Sequence, residues 1–336
     1  MVTDSQFFSD ILDQLDLALD QMAMQDLNLD RFALLLIDNV VELTLHRYAR
    51  TKGHRRNNFW TKLDHPDELA KLADKALCQN FDAKVKLAKF TKLIDESRAQ
   101  SIRCLHKFRN AAHHAGAKHE AIAHSLAMFY FVVACELLIA YHKQSGGWSA
   151  GLHDSASHRA LKYLGKPNFI QGKDTFEQVW PRLLEVADSL PFDLTADLFS
   201  DLSATIDETE KLLTFLEDNT AEMSREDLVL EAQARTLSLT DEGFKFAQEN
   251  QCPPDLLLDE YFHWFAKNYP FPERRDPLPT WRKRAKQIGN QANRDLALKQ
   301  YCDFLGQTEK TRSSIYEAVI ELDVKIQRAI DQRRGK

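Results

Sequence analysis

Residues 30–52, DRFALLLIDNVVELTLHRYARTK, decide the fold class. Phe32, Leu35, Leu36, Val40 and Leu43 recur at three- and four-residue intervals, the period that gathers side chains on one face of an α-helix. Asp38, Asn39 and Glu42 form the polar face between them, and Gly53 beyond the basic end is the expected stop. Toward the N-terminus, Thr3 and Gln6 have capping-box spacing ahead of Phe8, Ile11, Leu12, Leu15 and Leu19, a second apolar face. Toward the C-terminus, helices are expected over 66–80 and 82–98. A short helix then carries SIRCLHKFRNAAHHAG (101–116) and ends at Gly116. Residues 118–143 place Ile122, Leu126, Phe129, Tyr130, Val133, Leu137 and Tyr141 along one long helix.

The glycine- and serine-rich stretch SGGWSAGLHDSASHRALKYLGKPN interrupts these periodic segments. The expected organisation is therefore a helical bundle over 1–145, a linker or long loop over 146–174, and a second helical domain over 175–336. Within the latter, helices are expected at 175–189, 195–218, 224–250 (Ser224 with Asp227 as capping box) and 254–268, before NYPFPERRDPLPT breaks the chain. Ile315, Val319, Leu322 and Ile326 then form an apolar seam on a last helix. Only 11 glycines and 10 prolines in 336 residues leave few turns for a many-stranded sandwich or barrel, so the class is all-α.

The net charge of -6 excludes a uniformly basic coat, but charge is unevenly spread. Residues 188–231 hold thirteen acids against Lys211 and Arg225, whereas 271–300 hold eight Lys/Arg against three acids. The acidic stretch reads as a solvated face or a contact for a basic partner. Five scattered cysteines (Cys78, Cys104, Cys135, Cys252, Cys302), none in a C-x-x-C pair, suggest buried thiols and neither a disulfide framework nor a thiolate metal site. The start MVTDSQFFSD lacks a basic region followed by an apolar run, and AMFYFVVACELLIAY is interrupted by Glu136 and shorter than a span of about 20 residues. A cytoplasmic, non-membrane protein is expected. No phosphate-loop, dinucleotide or H-E-x-x-H motif occurs, and no cofactor is expected.

Chemistry concentrates in LHKFRNAAHHAG, where Arg109, Asn110, His113 and His114 occupy six positions, flanked by His106 and His119. An imidazole moves protons near neutral pH and a guanidinium grips phosphate through paired hydrogen bonds, so the set suits phosphodiester chemistry. On an unbroken helix Arg109 shares a face with His113, while position 114 lies roughly 140° away. A last turn loosened before Gly116 would let His114 swing back. His106 and His113, two turns apart, could also ligate a metal, but no carboxylate or cysteine stands at ligand spacing beside them, so no metal site is expected.

RNAAHH fits R-N-x-x-x-H, and residues 1–145 resemble the HEPN domain family: a long early helix with a polar face precedes the motif helix, as DRFALLLIDNVVELTLHRYAR precedes IRCLHKFRNAAHH. The resemblance maps the family's arginine to Arg109, its asparagine to Asn110 and its histidine to His114, with His113 at a variable position. It implies a metal-independent ribonuclease, a homodimer whose two motifs meet in one cleft, and a toxin or antiviral defence role, with an antitoxin or regulatory protein as partner. Members modified by a nucleotidyltransferase antitoxin carry a tyrosine just after the histidine, and HHAGAKHE has none. The alternative is a catalytically inactive helical scaffold. Asp38 or Glu42 is expected to position the motif. Arg47, Arg50, Lys52, Arg55 and Arg56, in an acid-free stretch, are candidate contacts for the RNA backbone, with a solvated loop as the equal alternative. WRKRAKQIGNQANR, with Trp281 as a stacking platform, is a weaker one, and the YFHWF cluster reads as core.

Overall fold

The computed structural model describes residues 4–55, 66–78, 80–114, 120–144, 157–164, 173–220, 223–271 and 273–335. Among the described residues the chain is helical with no strands, as the apolar periods predict. It groups into two units. The first comprises α1 (Asp4–Ala23), α2 (Leu27–Arg55), α3 (Pro66–Leu77), α4 (Phe81–Phe90), α5 (Glu96–His114), a 3₁₀ turn (Glu120–Ile122), α6 (Ala123–Gln144), α7 (His158–Leu164) and α8 (Lys173–Ala187). It also takes in the start of α9 (Leu194–Asn219) up to Asp197 and the segment Asn293–Lys299. The second holds the rest of α9, then α10 (Arg225–Ser238), α11 (Asp241–Glu249), α12 (Leu258–Asn268), α13 (Leu278–Gly289) and the remainder of α14 (Arg294–Arg333).

Helix α2 is the axis of the first unit, packed by α1, α3, α4, α5 and α6. Neighbours on so many sides rotate the buried face away from the one its spacing predicts: Ala33, Leu34, Ile37, Val40, Val41 and Leu45 are buried, while Phe32 is 54% exposed. Asp38, expected on the polar face, is fully buried. The helix also runs through Gly53 to Arg55, because one glycine costs only about 1 kcal/mol against the packing of a long helix. Helix α6 contains the most apolar run. With 22 residues it is longer than that run and long and apolar enough to cross a membrane, yet most of it is buried among the other helices.

Three further boundaries depart from expectation. The helix expected over 82–98 is interrupted after Phe90, where Lys92 adopts a left-handed φ of 58° and Asp95 accepts the Arg98 N–H at 2.8 Å to start α5. Part of the expected linker is the helix α7, whose Arg159 and Lys162 pair with buried Asp16 on α1 at 2.8 and 3.0 Å and whose Tyr163 hydroxyl donates to it at 2.8 Å. These contacts hold its carboxyl below the ordinary range despite burial, which works the other way. Residues 145–156 and 165–172 lie outside the described residues, as does Thr3 of the expected first cap. The boundary expected near 145 falls instead after Asp197. Phe176 and Trp180 of α8 are fully buried against Phe8 of α1, and the Trp180 indole N–H donates to His142 Nδ1 at 3.1 Å.

The first unit is also tied at the start of α2. His124 Nδ1 meets Asp30 at 2.9 Å, Arg31 meets Glu120 at 2.7 Å, and Ser125 donates to Asp197.

In the second unit Ser224 caps α10 as predicted, but the expected 224–250 helix breaks where Thr240 caps α11. A Cβ on Gly243 would stand 2.2 Å from the Leu237 carbonyl oxygen, so the tight turn between α10 and α11 requires glycine there. Phe265 and Phe271 pack with Ala234 in a core flanked by Phe246, Trp264 and Tyr269, as the YFHWF cluster predicts. Trp281, considered as a stacking platform on an amphipathic surface helix, is fully buried edge-on to Phe304, because the indole outweighs the charges of its helix. Arg282 pairs with Asp207 at 3.0 Å and Glu210 at 2.5 Å, so basic α13 neutralises part of acidic α9. Of the C-terminal seam, Ile315 is fully buried, while Val319, Leu322 and Ile326 are half-buried.

Gly243→Ala should destabilise the second unit by about 1–3 kcal/mol, read as a lower midpoint in urea unfolding. The hydrogen bond to Asp30 raises the His124 pKa. Its stabilisation should be fully present below about pH 6.5, the unfolded value, and be lost as pH rises through the raised folded value. Stability against pH for His124→Ala should lack that step.

Candidate active site

Helix α2 presents Asp38, Glu42 and His46 at four-residue intervals, one line along a helix. Asp38 is the buried end of this line, its side chain 1% exposed. An ionised carboxylate there is stable only if its oxygens are occupied. His106 Nδ1 of α5 lies 2.9 and 3.1 Å from its two oxygens, and the Tyr130 hydroxyl of α6 donates to Oδ1 at 2.7 Å. Arg109 Nε of α5 stands 3.3 Å from Oδ2. That approach is off the hydrogen-bond direction, so Arg109 contributes charge rather than an aligned bond. Arg109 Nη1 donates to Asn110 Oδ1 at 2.8 Å. Burial, then the charge of Asp38, pushes the Tyr130 pKa well up, so the group is a neutral phenol.

The flanks complete the polar line. Glu42 accepts from Lys84 Nζ of α4 at 2.6 Å, with the lysine side chain only 4% exposed. Burial lowers the His46 pKa, with Lys84 and Arg50 adding to the effect and Glu42 opposing it. His106 stacks flat on Phe81 of α4, ring centroids 3.8 Å apart and planes 7° from parallel. The imidazole is thus gripped by a carboxylate on one edge and an arene on one face. The Arg109 side chain remains 30% exposed and that of His106 20%, so both reach the surface.

Of the residues marked in the sequence, Asp38, Arg109 and Asn110 come together, while Glu42 sits one turn along α2, paired with Lys84. Helix α5 is regular through position 114, without the loosened last turn considered for it, but the side chains of His113 and His114 lie outside the described residues. So do His119, the Arg55 side chain and Arg56. Arg47 lies over the Phe7 ring at 4.3 Å, and burial lowers its pKa, which makes it part of the packing of α1 on α2. Lys52 stands over the Tyr48 ring at 5.0 Å, and Arg50 is exposed. Among the described residues no group of three or more His, Cys, Asp or Glu side chains could hold a metal ion.

Sequence reasoning missed Tyr130 and Lys84 as parts of the site. A tyrosine inside an apolar helix must find a partner for its hydroxyl when buried, and that rule pointed to one without naming Asp38. Comparison of the chain with family models, curated proteins and solved structures gave no match.

Asp38→Ala should cost about 3–5 kcal/mol, because it strands Arg109 and the Tyr130 hydroxyl. Tyr130→Phe should cost about 1.5–3 kcal/mol. Chemical denaturation followed by circular dichroism reads both.

Proposed function

We propose that the chain is a metal-independent, HEPN-type endoribonuclease that works in the cytoplasm as a homodimer. The observation that carries this reading is the buried Asp38 holding Arg109 of the R-N-x-x-x-H motif at the surface, with Asn110 on its Nη1. A phosphate reaching that surface would meet a guanidinium already oriented before substrate arrives, the condition for stabilising charge as it develops on a phosphorane.

In this reading the RNA 2′-hydroxyl attacks the adjacent phosphorus, Arg109 neutralises the growing charge, Asn110 keeps the guanidinium in place and His114 transfers a proton. Deoxyribose lacks the nucleophile, so DNA is not cut. A toxin or antiphage effector, restrained by an antitoxin or regulatory protein, is the biological role that accords with it. The competing reading is a silent interaction module. Phe32 and Leu43, eleven residues apart and so on one face of α2, are both exposed and favour it, because apolar surface of that kind serves protein contacts.

Purified protein incubated with total RNA in excess chelator separates the two readings. The nuclease leaves 2′,3′-cyclic phosphate ends. Arg109→Ala and His114→Ala should each lower the rate about 100-fold or more with the fold retained. Equal traces from all three proteins would abandon the nuclease for the module.

A further inference from the structure

The motif names Arg109 and His114, yet the arrangement around Asp38 contains another imidazole with the attributes of a proton acceptor. His106 lies three residues before Arg109, so the two project from neighbouring positions on α5 and reach the same carboxylate. Position 114 is roughly 140° round the helix from position 109, and α5 continues unbroken to it. His113, four residues after Arg109, lies on the same helical face, but His106 is the histidine that meets Asp38 beside Arg109.

Three contacts set its chemistry. Asp38 takes Nδ1, which fixes the tautomer with the proton on that nitrogen and leaves Nε2 as the basic one. The flat stack on Phe81 stops the ring from turning. Because the side chain is 20% exposed, this held imidazole still reaches solvent. A buried carboxylate that holds an imidazole in one tautomer and one orientation is the arrangement that serves a histidine base. A histidine serving only the interior would need neither the exposed edge nor a charged partner already supplied with the Tyr130 hydroxyl.

Resting on the ribonuclease reading above, we infer that His106 is the general base that removes the 2′-hydroxyl proton, with Asp38 as its positioning residue. The proton passes from the 2′-oxygen to His106 Nε2 as the O2′–P bond forms. The P–O5′ bond then breaks, and the departing 5′-oxygen takes its proton from the imidazolium of His114. Arg109, one turn from the base, carries the charge of the phosphoryl oxygens.

The test is single-turnover cleavage of a short RNA by the full chain, from about pH 5 to pH 9. The groups that could shape the profile are Asp38, Glu42 and His46 from α2, Lys84 and the Asp82–Arg103 pair beside it, Arg109, and Tyr130 from α6. His106→Asn keeps an amide nitrogen for Asp38 but has no nitrogen that titrates. It should keep its thermal midpoint, lose about 100-fold or more in rate, lose the acid limb of the pH profile, and regain part of the rate with added imidazole. If that variant fails to fold, His106→Gln, with its amide at the other ring position, makes the same comparison. A folded variant that cleaves at the parental rate with the parental acid limb, while Arg109→Ala is silent, overturns the inference and leaves the ribonuclease intact. Failure of the parental protein to cut RNA at all overturns both.

Discussion

One buried negative charge organises the first unit. The Asp38 carboxylate sits in the middle of α2 with almost no access to water, and a lone charge in such a place would be intolerable. Its partners arrive from two other helices: His106 and Arg109 from α5, Tyr130 from α6. These partners constrain α2, α5 and α6 to one rotation about their axes, because turning any of them would withdraw a partner. Leucines and valines can slide past one another at small cost; a saturated carboxylate cannot. The knot thus sets both the register of the bundle and the direction in which Arg109 faces. Structure and proposed chemistry rest on the same atoms.

Much of the architecture was legible in the sequence. Helical class and most helix positions followed from three- and four-residue spacing, since that period is a property of the chain itself. What failed was the choice of face on α2. Phe32 and Leu43 look like core in the sequence, and Asp38 looks like surface, because periodicity assumes one buried side and one wet side. A helix with neighbours on most sides has no such division. The breaks after Phe90 and Ser238 were hidden for another reason: they depend on Lys92 in a left-handed conformation and on a single glycine pressed against a carbonyl, neither of which disturbs the apolar pattern.

The candidate site divides similarly. Arg109 and Asn110 were visible because they crowd together in sequence, and Asp38 because it stood on the neighbouring long helix. His106 drew notice only as a flanking residue, since its importance comes from Asp38, 68 residues away. Basic residues after His46 looked like one RNA-binding strip, yet Arg47 is drawn onto Phe7 and away from any such role. Cation–π packing gives a long basic side chain a structural use that a charge count cannot detect.

The first unit is assembled from distant parts of the chain. Asp295 accepts from Ser101 at 2.6 Å across 194 residues and pairs with Arg98 at 3.5 Å, and Arg294 covers Phe192 at 4.7 Å. On the ribosome, the helix that bears Arg109 is therefore complete long before the segment that buttresses its first turns has been made. A nascent chain must hold its guanidinium and imidazoles in an unfinished bundle while α10 to α13 emerge.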